Sequence, residues 1–181
     1  ALQPDDVGSR ARTSVIAAQA AMGRSDLAAA VAHATAALDD ATAAGRVPIQ
    51  CEALEVLGRA ERGRDLPAAE AAFQRAHDLA DAAGLALWRV RALHELGTIE
   101  MYQRLDTDRL ERARDEATAL GALATVAVID LELAVVRGQR GELDLALDAA
   151  VRCEDVSRRW RLSTLAMSLV IQAAVHARRA D

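Results

Sequence analysis

Four histidines, His33, His77, His94 and His176, and two cysteines, Cys51 and Cys153, have the widest chemical range in this 181-residue chain. A helix brings residues three or four apart onto one face, and a structural zinc needs four nitrogen or sulfur ligands at one point. No two of these histidines stand three or four apart, and the cysteines form no CxxC pair. The spacing predicts no metal site, and two buried thiols of a reducing compartment in preference to a disulfide. The acidic pairs Asp39-Asp40 and Glu154-Asp155 are adjacent. On a helix such neighbours diverge by about 100°, so they read as solvated charges and not as an acid–base dyad. No GxSxG elbow occurs, and the serines have no histidine beside them in sequence. All 22 basic residues are Arg. Without Lys there is no Schiff-base chemistry and no phosphate-binding P-loop lysine. Gly138-Gln139-Arg140-Gly141 reads as a tight turn between helices, where backbone N–H groups also face the next helix start. No catalytic residue and no cofactor is expected.

Charge narrows the partners further. The net charge is -5 and the pI about 5.4. Arg and acid alternate, as in Glu111-Arg112-Ala113-Arg114-Asp115-Glu116. Nucleic-acid binders carry a basic patch that answers the phosphate charge. The only local excess here is Arg158, Arg159 and Arg161, with Arg178 and Arg179 later, so no direct nucleic acid contact is expected. The opening residues, Ala1-Leu2-Gln3-Pro4-Asp5-Asp6, do not resemble a signal peptide. The longest apolar stretch, 119–136, carries Asp130 and Glu132, whereas a spanning helix needs about 20 apolar residues. The expected chain is cytoplasmic and makes no membrane contact. It lacks an initiator Met and ends on an apolar segment, which suggests an excised fragment of a longer protein.

The elements that position these residues are helical. Alanine is the commonest residue, Pro numbers three, and aromatics make up 2%. Ala is the best helix former and Pro the worst, and sheets favour aromatic and β-branched bulk. The chain also repeats itself. Met22-Gly23-Arg24-Ser25-Asp26-Leu27-Ala28-Ala29-Ala30 returns 39 residues later as Glu61-Arg62-Gly63-Arg64-Asp65-Leu66-Pro67-Ala68-Ala69. It returns again 77 residues beyond that, as Arg140-Gly141-Glu142-Leu143-Asp144-Leu145-Ala146. Asp26, Asp65 and Asp106/Thr107 offer side-chain oxygens to free N–H groups at helix starts, and Pro67 suits a first turn. Gly45, Gly84 and Gly121 offer left-handed helix ends. The pattern predicts nine helices, at 8–23, 26–44, 48–62, 66–83, 86–104, 108–120, 122–137, 142–160 and 162–179. Ala30, Ala37, Ala69, Phe73, Ala76, Ala146 and Ala150 form the expected core. Hairpins cover about 8–45, 48–84, 86–121 and 122–160, followed by a single helix at 162–179. A lone hairpin cannot cover its own apolar face, so the pairs must stack into a right-handed α-α superhelix.

Small residues at the helix crossings, Leu96-Gly97, and Ala69, Phe73 and Ala76 in an Ala-x3-Phe-x2-Ala spacing resemble the tetratricopeptide (TPR) repeat. The period of 38–39 residues exceeds the usual 34. The stretch Arg91-Ala92-Leu93-His94-Glu95-Leu96-Gly97-Thr98-Ile99-Glu100, with Leu110-Glu111-Arg112-Ala113-Arg114 and Leu120-Gly121-Ala122-Leu123, is similar to the helical-repeat region of large LuxR-family transcriptional regulators. That resemblance rests mainly on 85–150 and implies an ATPase before the repeats and a DNA-binding helix-turn-helix after them. In TPR-like stacks the first helix of each pair lines a concave groove. Transferring that pattern gives Arg12, Gln19, Arg59, Glu61, Arg91, His94, Glu95 and Glu100 as groove-binding candidates, over a floor that includes Val15, Met22, Cys51 and Leu54.

The resemblance implies a non-enzymatic interaction or effector-sensing module of a bacterial transcriptional regulator. A protein, a peptide or a small effector would occupy the groove. A free-standing TPR adaptor with a protein client is the rival reading, and a helical enzyme a more distant one, since no His/Glu set has ligand spacing. Trp88 and Trp160 fall near hairpin junctions, where they either wedge repeats apart or anchor a partner. The last helix spaces Leu162, Leu165, Ala166, Leu169, Val170 and Ala173 on one broad face. With no further repeat to cover it, that face predicts a homodimer through the C-terminal helix.

Overall fold

A computed structural model describes residues 6–180. Among them the only regular elements are nine helices: α1 (Val7–Gly23), α2 (Leu27–Ala43), α3 (Val47–Glu61), α4 (Leu66–Ala82), α5 (Ala86–Arg104), α6 (Asp108–Ala119), α7 (Leu123–Gln139), α8 (Leu143–Trp160) and α9 (Leu165–Ala180). None is long and apolar enough to cross a membrane. The polar opening stretch lies mostly outside the described residues.

Local signals set the ends. Asp26 accepts from the Ala29 N–H and Asp65 from the Ala68 N–H, each satisfying a donor the helix leaves orphaned. Asp106, not Thr107, takes that role ahead of α6, accepting from the Asp108 N–H. Gly45, Gly84 and Gly121 adopt φ of 62°, 66° and 67° after α2, α4 and α6, as does Gly141 at 81° after α7. The final helix begins at Leu165, three residues later than its apolar spacing predicts. Arg161 ends α8 in the left-handed conformation, and the Leu162 N–H turns back to the Ser157 carbonyl.

The chain divides into two compact units, 1–92 and 93–181, with the boundary inside α5. In the first, α1 packs on α2 and α3, and α3 on α4. Its core is built of small residues: Ala18, Ala21, Ala30, Ala34 and Ala60 are buried around Val56, so helix axes approach closely. Phe73, the only phenylalanine of the chain, is fully buried against Gly58. A Cβ on Gly58 would lie 2.4 Å from the Phe73 ring, so α3 carries glycine where the ring crosses it.

In the second unit α7 packs on α6, α8 and α9. Leu110, Ile129, Leu133 and Val136 are fully buried. Gly97 repeats the role of Gly58, with main chain as well as side chain against it: a Cβ there would meet the Leu110 nitrogen at 2.9 Å and Leu110 Cγ and Cδ2 at 3.0 Å. All seven expected core residues are buried across the two units. Helix α9 buries only Ser168 and Val175 and leaves Leu169 and Val170 exposed. Polar tethers hold it down: Gln172 donates to Glu154 at 2.6 Å, Arg178 to the Gly138 carbonyl, and Arg179 pairs with Asp144.

Candidate functional site

Each unit carries an open groove, and both grooves are lined only by odd-numbered helices. In the first unit, Gln19 and Met22 of α1 face Glu52, Glu55, Val56 and Arg59 of α3 and Arg91 of α5 around a cavity of about 180 Å³. Positions 52, 55, 56 and 59 share one helical face. Two carboxylates organise the lining. Glu52 accepts from Arg12 and Gln19, both at 2.6 Å. Glu55 takes Arg91 at 2.8 Å and Arg59 at 3.0 Å on one oxygen, while Oε2 is buried without a hydrogen-bond partner. The Arg91 guanidinium also lies 4.5 Å from the Trp88 ring centroid, a cation–π contact that fixes its plane.

The second groove is larger and more apolar, about 430 Å³. Met101, Tyr102 and Leu105 come from α5 and the residue after it, Leu131, Glu132, Val135 and Gln139 from α7, and Met167 from α9. Tyr102 is 68% exposed and Met167 52%, so the apolar wall faces solvent. Leu105 is held at φ 56°, a left-handed conformation unusual for a bulky residue, and its carbonyl accepts from Arg140. Glu132 stands at the polar end. Its Oε2 accepts from His94 Nε2 at 2.8 Å and from the Thr98 hydroxyl at 3.1 Å.

A third cleft lies among α6, α7 and α8 and is polar, lined by Arg114, Arg137 and Arg152 with Glu111 and Asp115. Beside it Asp130 is fully buried. Its Oδ1 takes Arg114 and Arg152, each at 2.8 Å, and its Oδ2 has no hydrogen-bond partner. This carboxylate, which in sequence interrupts an apolar run, is the centre of an ion-pair cluster.

Gln19, Arg59 and Arg91 line the first cavity and Arg12 pairs at its edge. Glu61 lies instead at the α3–α4 turn, 3.7 Å from Arg64. His94 and Glu95 are buried in the second unit, and Glu100 pairs with Arg109 at 3.1 Å. Val15, Cys51 and Leu54 are not groove floor but core, because α1 and α3 turn those positions toward α2 and α4. Sequence reasoning passed over Glu52, Glu55 and Glu132, the carboxylates on which the arginines, the glutamine and the histidine converge. Their signal was helical register with residues already chosen.

Neither cysteine is poised as a nucleophile. Burial pushes the Cys51 thiol up to about 11, helped by the Glu55 charge and opposed by a backbone hydrogen bond. Burial also raises Cys153, against hydrogen bonds from Ser157 and Thr164. Among the described residues no group of three or more His, Cys, Asp and Glu is placed to hold a metal ion. Trp88 is half-buried under Arg91, and Trp160 is exposed beside Arg159. The chain matches no family model and no curated protein.

Proposed function

We propose that this chain is a non-enzymatic, TPR-like binding module, cytoplasmic, that senses an effector or docks a partner for a bacterial transcriptional regulator of the large LuxR type. The reading carries with it the right-handed superhelix of a repeat solenoid. One observation supports it most: the α1/α3/α5 groove and the α5/α7/α9 groove are each walled by odd-numbered helices, which are the first helices of the expected pairs and the single last helix, while the polar cleft of the second unit draws on α6 and α8. A repeat protein presents its binding surface this way because one helix per pair faces inward. Occupancy of either groove would bias the packing of neighbouring helices, and through them the flanking domains.

The test is made on the natural full-length protein with a transcriptional reporter. Met167→Glu and Arg91→Ala each alter one groove, Met167 at an exposed and Arg91 at a half-exposed position. The reading expects altered reporter output with unchanged folding. A natural gene without a DNA-binding domain would leave the adaptor reading in its place. Reporter output indifferent to every groove substitution would remove the sensing role.

A further inference from the structure

The second groove pairs an apolar wall with a single charged group, and that combination specifies a ligand class. Met101, Leu105, Val135 and Met167 supply the wall, and Glu132 is the only charged residue in the lining. Both hydrogen bonds that Glu132 receives, from His94 and from Thr98, fall on Oε2. Among the described residues none bonds Oε1. The Glu132 side chain keeps 22% of its surface exposed, so this oxygen is open to an incoming group.

From these facts we infer that the α5/α7/α9 groove binds a small organic cation, an apolar body carrying a protonated amine that donates to Glu132 Oε1. A purely apolar occupant would cover the carboxylate and strand an acceptor, which costs more than its contacts return. An anion would meet Glu132 directly, with no arginine in the lining to offset it. A charged donor gains the stronger, charge-assisted bond. The cavity's size falls in the range of small-molecule sites. His94 and Thr98 act as positioning residues here: by holding Oε2 they fix the direction in which Oε1 points. The inference deepens the proposed function and rests on its claim that these grooves are ligand sites.

The chain has three methionines, which make natural reporters: Met101 and Met167 line this groove and Met22 lines the other. Protein labelled with 13C at the methionine methyls is titrated with 4-phenylbutylamine, 4-phenylbutanol and 4-phenylbutyrate at neutral pH. The amine should shift Met101 and Met167 saturably, leave Met22 in place, and bind about five- to tenfold tighter than the alcohol. The acid should bind weakest. Glu132→Gln should remove the amine's advantage while leaving the alcohol's affinity. Gln139→Glu, at an exposed position of the same lining, should raise amine affinity and guards against a Glu132 variant that folds poorly. Equal binding of amine and alcohol overturns the cation but leaves a ligand site. No shift with any probe overturns the site as well. Shifts of Met101 and Met167 that grow with protein concentration alone would mean that a second copy covers the groove, and would also overturn the inference.

Discussion

Gly58 and Phe73 offer a test whose sign depends on background. A Cβ built on Gly58 lies 2.4 Å, 2.5 Å and 2.8 Å from three atoms of the Phe73 ring. Carbon atoms pack favourably at about 3.5–4.0 Å, so the ring must retreat by roughly 1 Å. Phe73 is fully buried, and such overpacking costs up to about 3 kcal/mol. Replacing a mid-helix glycine by alanine returns about 1 kcal/mol of helix propensity. Gly58→Ala alone should therefore destabilise by about 2 kcal/mol. Phe73→Ala alone should cost about 3–5 kcal/mol through lost burial and the cavity left behind. In the Phe73→Ala background the clash is gone, and Gly58→Ala should become stabilising by about 1 kcal/mol. The coupling energy is the difference of the two Gly58 effects, about −3 kcal/mol. Urea unfolding of the four proteins, with m-values compared, reads it directly. Gly97→Ala with Leu110→Ala is the contrast: a Cβ on Gly97 meets the Leu110 nitrogen at 2.9 Å as well as Leu110 Cγ and Cδ2 at 3.0 Å; truncation removes the side-chain contacts but not the main-chain one, so Gly97→Ala should stay destabilising in the Leu110→Ala background. The reasoning is refuted if Gly58→Ala destabilises equally with and without the ring.

Asp130 is fully buried, while Arg114 and Arg152 keep 25% and 38% of their side-chain surface exposed. Removing both arginines strands a buried charge and should cost about 3–5 kcal/mol. Asp130→Asn frees two arginines that reach water and should cost only about 1–3 kcal/mol; denaturant unfolding that reverses this order sinks the argument. Cys51 is raised from 9.0 to about 11 in the folded protein. The folded state then holds the thiol proton more tightly than the unfolded chain between those values. This contribution to stability is complete below pH 9.0 and lost as pH rises toward about 11, so Cys51→Ala should flatten the alkaline limb of a stability–pH profile. At pH 8 the folded thiol should resist iodoacetamide; fast alkylation without unfolding would contradict this. Leu169 and Val170 are exposed on α9, Val170 by 60%. If this face joins two copies, Leu169→Glu/Val170→Glu yields monomers in sedimentation, and a wild-type chain that is monomeric at high concentration ends the dimer proposal.

Helix positions were legible from local chemistry. Asp26 and Asp65 cap their own helix starts, and Gly45, Gly84 and Gly121 end theirs through their own backbone freedom. Those interactions span two to four residues, so the residue order alone determines them. The repeat spacing likewise placed Ala30, Phe73 and Ala146 in the core, because an amphipathic helix has one face to bury. The first groove was half legible. Gln19, Arg59 and Arg91 followed from the choice of first helices, whereas Val15, Cys51 and Leu54 were assigned to the floor and lie in the core. An apolar face tells that a helix is buried, but its rotation about its own axis is settled only by what packs on either side. The carboxylates depended on the same missing information. Glu52 and Arg12 are 40 residues apart, His94 and Glu132 are 38 apart, and Asp130 draws arginines from 16 and 22 residues away. Charge pairing at that separation is decided by the register in which helices stack, where a one-residue change turns a side chain by about 100° and exchanges a buried partner for water.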